Sequence, residues 1–319
     1  VADLPVLGGS VSEKRVTGVR ASVSLLLDPS PQVYRWLKLP AVEVRPYSGL
    51  SWGTSEFLCP LGRFPLLPPK LDLPLPSGGL QVDSDDAWRF MVQYKLPWAW
   101  VSYPGTVVHA AIRLVQDIGL PDPIVTATST MELPTQVWDK DKSAHDIMDS
   151  LMSAIGGEAF FNRDGRMVIQ DRVNTPGAPL VDGDGGTVGA VSTTEDWSEV
   201  YNEVWVGTSN NDTFFFPEFD MIRDPLHPAY KDNGLGRKSF TFYSPLFTEA
   251  AQAAAAAPAL LARKSEAALG WNVTAVQDVS RMPGDVGLVS TELGQVTAVV
   301  SEAKHDLAGP AMTLVMGAA

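Results

Sequence analysis

Residues 143–171, SAHDIMDSLMSAIGGEAFFNRDGRMVIQD, change their hydrophobic period halfway along. In the first half Ala144, Ile147, Met148, Leu151 and Ile155 recur at helical spacing and make a stripe to be buried. Ser143 is placed to cap the helix, with Asp146 three residues on as a weak capping box, and Gly156-Gly157 stops it. The second half has two apolar runs flanking Asp164-Gly165. Acidic residues and glycines also suit a phosphate or metal loop, but an Asp-Gly pair between apolar runs is accounted for by a hairpin with a type I′ turn, φ positive at both residues. That register sets Arg163 opposite Arg166, Phe161 opposite Val168 and Phe160 opposite Ile169. The two arginines, as like charges, are expected to splay into water. A second helix precedes: Val107, Ala111, Leu114, Val115 and Ile118 share a face, with Thr106 as cap and Gly119 and Pro121 as stops. Residues 106–172 therefore read as a small α/β unit with helices packed on the hairpin.

On both sides of this unit the pattern is β. In GVRASVSLLL (18–27), Val19, Ala21, Val23, Leu25 and Leu27 share one face, and Arg20, Ser22 and Ser24 the other. AVEVRPY (41–47) and EFLCPLGRFPLL (56–67) continue this style, broken by prolines that predict edge strands and bulges. After the unit, VNTPGAPLVDGDGGTVG (173–189) is rich in turn formers and marks a boundary. Strands follow at 200–209, 238–244, 271–279, 295–304 and 309–317, with PGDVGL (283–288) as a turn leading into one more. An Ala-rich helix interrupts at 248–270, and Pro258 is expected to kink or split it. The expected fold class is α+β, mainly β: barrel-like β domains at 1–105 and 173–319 flanking the α/β domain at 106–172. No fixed-period repeat points to a solenoid or propeller.

A net charge of −13 over 319 residues argues against tight binding to nucleic acid phosphates, although an acidic wall suits a path along which DNA slides without sticking. Cys59 is the lone cysteine, so it has no intramolecular disulfide partner and reads as a buried structural thiol. There is no signal-peptide pattern, and no apolar run approaches the roughly 18 residues of a membrane span. A soluble chain made inside the cell is expected.

No catalytic, cofactor-binding or metal-ligating residue stands out in the sequence, and no cofactor is implied. GLGRKS (234–239) lacks phosphate-loop spacing, and GDGGTVG (183–189) misses the dinucleotide fingerprint. His109, His145, His227 and His305 form no i, i+4 pair. DKDKSAHDIMDS (139–150) has Asp139, Asp141 and Ser143 at calcium-loop positions, but Ala144 and Ser150 stand where glycine and glutamate are needed. VDGDGG (181–186) reads as a loop, and the Asn-x-Thr triplets at Asn211 and Asn272 mean little without a secretion signal. The aromatic stretch 84–105, with Trp88, Trp98, Trp100, Tyr94 and Tyr103, reads as core or protein interface before carbohydrate platform.

Three segments carry a family likeness. Trp138 to Asp171 resembles a W…D…A…GAE…F…DG pattern, Tyr201-Asn202-Glu203-Val204 a YN-V-V-G strand, and Pro283-Gly284-Asp285-Val286 a PGD-V turn. In this order they resemble the minor tail proteins of actinobacterial tailed phages. The resemblance implies a baseplate hub at the tail tip of the virion: a structural protein, not an enzyme, made in the bacterial host cytoplasm. It also implies two similar β-barrels per subunit and a homotrimer forming a six-barrel ring. The implied partners are tail tube or distal tail proteins above and tip or spike proteins below, with DNA only in transit during genome ejection and no membrane span. A cell-wall hydrolase and a carbohydrate-binding module are the alternatives.

Overall fold

The computed structural model describes residues 3–28, 30–37, 42–66, 80–177, 179–181, 186–194, 198, 200–209, 214–265, 270–291 and 294–318. Residues 183–185 of GDGGTVG, most of VDGDGG (181–186) and Asn211 lie outside them. The described chain is mainly β, with open sheets.

The largest sheet has nine strands and draws on both ends of the sequence. Its path runs Val188–Thr194, Gly270–Val276, Ala311–Ala318, Gly294–Asp306, Val6–Lys14, Ala21–Leu27, Leu80–Asp85. The expected alternation holds in Ala21–Leu27, where Ala21, Val23, Leu25 and Leu27 are buried. Strand Gly294–Asp306 is the seam. Along one edge it pairs first with Asp285–Thr291 and then with Val6–Lys14, both antiparallel, and along the other with Ala311–Ala318. The register with Ala311–Ala318 shifts between Val300 and Glu302. One apolar core lies under the N-terminal strands (Val11, Val23, Leu25, Leu27, Phe64, Leu80), and another under the C-terminal ones (Trp271, Val273, Val289, Val300, Leu314, Met316).

The third and largest core belongs to the α/β unit. Helix Val107–Asp117 begins at Thr106, whose hydroxyl accepts from the His109 amide. Helix Ala144–Ile155 has the full capping box of Ser143 and Asp146, and it ends at Gly156 with φ +64°. Both stripes pack over a three-stranded sheet of Ile124–Val125, Met167–Asp171 and Gly157–Phe161. This core reaches beyond 106–172. It takes in Trp88 and Met91 of a helix at Trp88–Gln93, and Ala253, Ala257 and Leu260 of the Ala-rich helix. The latter runs Ala250–Ser265 as one helix with Pro258 inside it, on the exposed side, so it is not split. Helices Pro31–Leu37 and Trp88–Gln93 had no sequence signal, being too short to show a period.

Candidate functional site at a charged junction

The hairpin forms, but its turn is one residue longer than expected. Phe161 pairs with Met167, Phe160 with Val168 and Ala159 with Ile169. Gly165 donates to the Asn162 carbonyl (2.8 Å), and Asn162 donates to that of Arg166 (2.9 Å). Gly165 has φ +73°, while Asp164 is not among the residues with positive φ. This is the three-residue loop, a type I turn closed by a left-handed glycine. Asn162 decides it: its Oδ1 accepts from the amides of Asp164 (3.1 Å) and Arg166 (2.9 Å), so Asp164 keeps ordinary backbone geometry.

The longer loop separates the two arginines. Arg166 is exposed, but Arg163 turns inward instead of splaying into water. Its guanidinium makes a two-pronged bond to Glu13, Nε to Oε1 at 2.7 Å and Nη2 to Oε2 at 3.0 Å. It also donates to the carbonyls of Val279 and, at 3.0 Å, of Arg281. One loop residue thus ties the α/β unit to the first strand and to the loop before Asp285.

Around it lies a cleft of about 380 Å³ whose walls come from all three parts of the chain. Arg20, expected on a solvent face, is buried. Its guanidinium stacks on Phe160, 3.7 Å from the ring centroid, and Nη2 donates to the Pro283 carbonyl (2.8 Å). Arg15 Nε lies 3.5 Å from Glu158 Oε2, both side chains nearly inaccessible. Arg63 is paired with Glu43 and donates to the Asp164 carbonyl (3.2 Å). The PGD turn forms the opposite wall. Gly284 has φ +101°, donates to Val300 and accepts from Thr175, while Asp285 accepts from the Met282 amide.

Asp86 closes the inner end. It accepts backbone amides from Arg20, Ala21 and Trp88 at 2.9–3.0 Å. Burial raises its pKa to about 6, against the opposing pull of those amides. His305 is fully buried, and burial lowers its pKa, so it is neutral at pH 7.

The residues weighed in the sequence scatter. Cys59 is half-buried on the hairpin Tyr47–Trp52/Ser55–Pro60, not in a core, because that hairpin stands apart from the large sheet. His109 is exposed, His145 accepts from the Trp88 indole (3.1 Å), and His227 accepts from the Ala229 amide. The failed calcium loop is the helix cap. Among the described residues no group of His, Cys, Asp and Glu is arranged to hold a metal, and no helix is long and apolar enough to cross a membrane. Trp88 and Trp100 are core residues, Trp100 lying 5.1 Å from Trp138, whereas Trp98 and Tyr103 are exposed.

The segments that carried the likeness have structural work. Asn202 accepts from the Lys238 amide and donates to Gly236. The buried Glu203 accepts from Trp205, Arg237 and Ser239; burial opposes its charge, yet these bonds hold its pKa below the usual range.

No protein-family model matches the chain, and no curated protein matches it in sequence. Solved structures do match in fold. A tail protein from Neisseria meningitidis MC58 superimposes with a TM-score of 0.70 at 12% identity, covering 98% of this chain and 92% of that one. The 43 kDa tail protein of prophage MuSo2 from Shewanella oneidensis gives 0.60 at 12% identity, covering 98% and 93%. The E. coli c3393 protein gives 0.52 at 10% identity, covering 98% and 73%. It is described as a type VI secretion component with structural similarity to the T4 tail proteins gp27 and gp5. The chain shares its fold with phage tail proteins.

Proposed function

We propose that this chain is a structural protein of a phage tail tip, a hub that joins the tail tube to the tip. The carrying observation is the extent of the likeness: 98% of this chain aligned with 92% of the Neisseria tail protein. In this reading residues 1–105 and 173–319 supply two barrel-like β segments, with 106–172 between them. Three copies form a six-barrel ring around a DNA channel, bound to tail tube proteins above and tip or spike proteins below, in the virion. Each copy contributes −13 of net charge, and carboxylates on the inner wall would repel passing DNA. The role is not enzymatic. Arg163 pairs with Glu13 and Arg15 with Glu158, Arg20 donates to the Pro283 carbonyl and Asp86 accepts backbone amides, which supports a scaffold over a reaction site.

Light scattering on the purified chain and class averages of assembled tail tips test this. A ring-shaped trimer is expected. A monomer both in solution and in assembled tails refutes it, and a basic inner wall refutes the channel reading alone. A second reading, carbohydrate binding, is favoured by the exposure of Trp98 and Tyr103. It predicts glycan-array binding that is lost on Trp98→Ala.

A further inference from the structure

A second concavity, about 640 Å³, lies on another face. One wall is the hairpin Tyr47–Trp52/Ser55–Pro60; the other is formed by residues 276–279 and the turn 306–310. Gln277 ties the walls together. With its amide oriented to satisfy both ends, Oε1 accepts from Ser48 Oγ, and Nε2 donates to the carbonyls of Asp306 (2.9 Å) and Gly309 (3.1 Å). Four large apolar residues that border the groove are half or more exposed: Tyr47, Phe57, Leu58 and Val276. Phe57 and Leu58 are consecutive on one strand and present opposite faces of the hairpin, and Phe57 shares its face with Ser48. Scattered apolar residues on a surface need no explanation, and here it is the Phe57 face of the hairpin, with Val276 on the other wall, that is available to a partner.

The charge of the groove is one-sided. Its charged lining residues are Asp278 and Asp306. The hairpin adds Glu56 and carries neither lysine nor arginine between residues 47 and 60. Asp278 shares its charge with Arg281, which is itself buried away from the groove, and Asp306 is exposed. The backbone is one-sided as well. The two hairpin strands pair only with each other among the described residues, so each has an outer edge with no ladder partner.

We propose that this groove binds an extended segment of a partner protein in which apolar and basic residues alternate. The apolar side chains would pack against Phe57 and Val276, the long cationic ones, leaving the strand on its other face, would bend back over the rim toward Asp306 and Asp278, and backbone amides would add to the hairpin edge. This holds whether or not the chain sits in a phage tail.

The test uses the full chain and two labelled probe peptides, Ac-FKLKF-NH2 and Ac-FELEF-NH2, read by fluorescence anisotropy. The basic peptide binds and the acidic one binds at least about tenfold more weakly. Phe57→Ser and Val276→Ser, both at exposed positions, each weaken the basic peptide about tenfold, and Asp306→Asn weakens it about threefold at low salt. Equal affinity for the two peptides, binding untouched by Phe57→Ser, or no binding at millimolar peptide each overturns the proposal. Self-association in sedimentation that Phe57→Ser abolishes assigns the groove to a second copy and overturns it too.

Discussion

Removing the Arg163 side chain separates the observed turn from the expected one. In a two-residue turn with Arg163 facing Arg166, deleting either arginine relieves repulsion, and the two variants behave alike. In the three-residue loop they differ sharply. Arg163→Ala strips Glu13, itself only 3% exposed, of a two-pronged partner and leaves the carbonyls of Val279 and Arg281 without that donor. Stranding one member of a buried ion pair costs about 3–5 kcal/mol. Arg166→Ala removes an exposed side chain and should stay within about 0.5 kcal/mol. Urea unfolding followed by tryptophan fluorescence measures both, since a change in midpoint at constant slope reports stability. Arg163→Lys, which keeps the charge but not the fork, should fall between. Replacing Glu13 and Arg163 together, by Gln and Met, should cost less than the sum of the single changes. Equal losses for Arg163→Ala and Arg166→Ala, within about 0.5 kcal/mol, would refute the reasoning.

Ser143→Ala removes the capping oxygen of helix Ala144–Ile155 and should lower stability by about 1 kcal/mol, seen as a shifted urea midpoint. Gly165→Ala places a Cβ 2.7 Å from Arg63 Cδ on a left-handed backbone and should cost roughly 1–2 kcal/mol, whereas Asp164→Ala, at an exposed position with ordinary φ, should cost under about 1 kcal/mol. Asp86 should titrate near pH 6 when followed by carboxyl carbon NMR, and a midpoint near 4 would contradict its burial. Because folding raises this pKa, its contribution is fully present below about pH 4 and is lost as pH rises through about 6, an effect on the order of 3 kcal/mol that Asp86→Asn should remove from the pH profile.

What the sequence disclosed was local. The helix ends at Thr106, Ser143 and Gly156 are written within a few residues of the caps they make, and the alternation of 21–27 needs no distant partner to be visible. The turn departs from expectation for a local reason too: Asp-Gly points to type I′, but the bonds that Asn162 accepts from Asp164 and Arg166 favour the longer loop. Arg20, Arg163 and Glu13 were beyond reach for another reason. Their burial depends on contacts across 150 residues or more, between Arg163 and Glu13 and between Arg20 and Pro283, and such pairs leave no period. A buried arginine looks like a surface one until its partner is placed. The only available signal is a carboxylate in the first strand and an arginine at the hairpin tip, which is too common a combination to select a pair. The loose motifs YN-V and PGD proved more telling, since Asn202 and Gly284 each fix a turn against a distant strand.

Strand Gly294–Asp306 has a consequence for the order in which the molecule can be completed. Val6–Lys14 is among the first parts of this stretch to leave the ribosome, yet its edge partner, Glu302–Asp306, is among the last. The Ser12 hydroxyl bonds to Glu302, 290 residues away. Until then Val6–Lys14 can pair only with Ala21–Leu27 and presents a bare edge to its surroundings. Contacts of such separation slow folding, because the chain must be ordered before they reward it. The N-terminal sheet therefore waits, half-made and open to wrong partners, for the C-terminal strand that finishes it, and the nine-stranded sheet that unites the two ends becomes whole only once nearly the whole stretch has been synthesised.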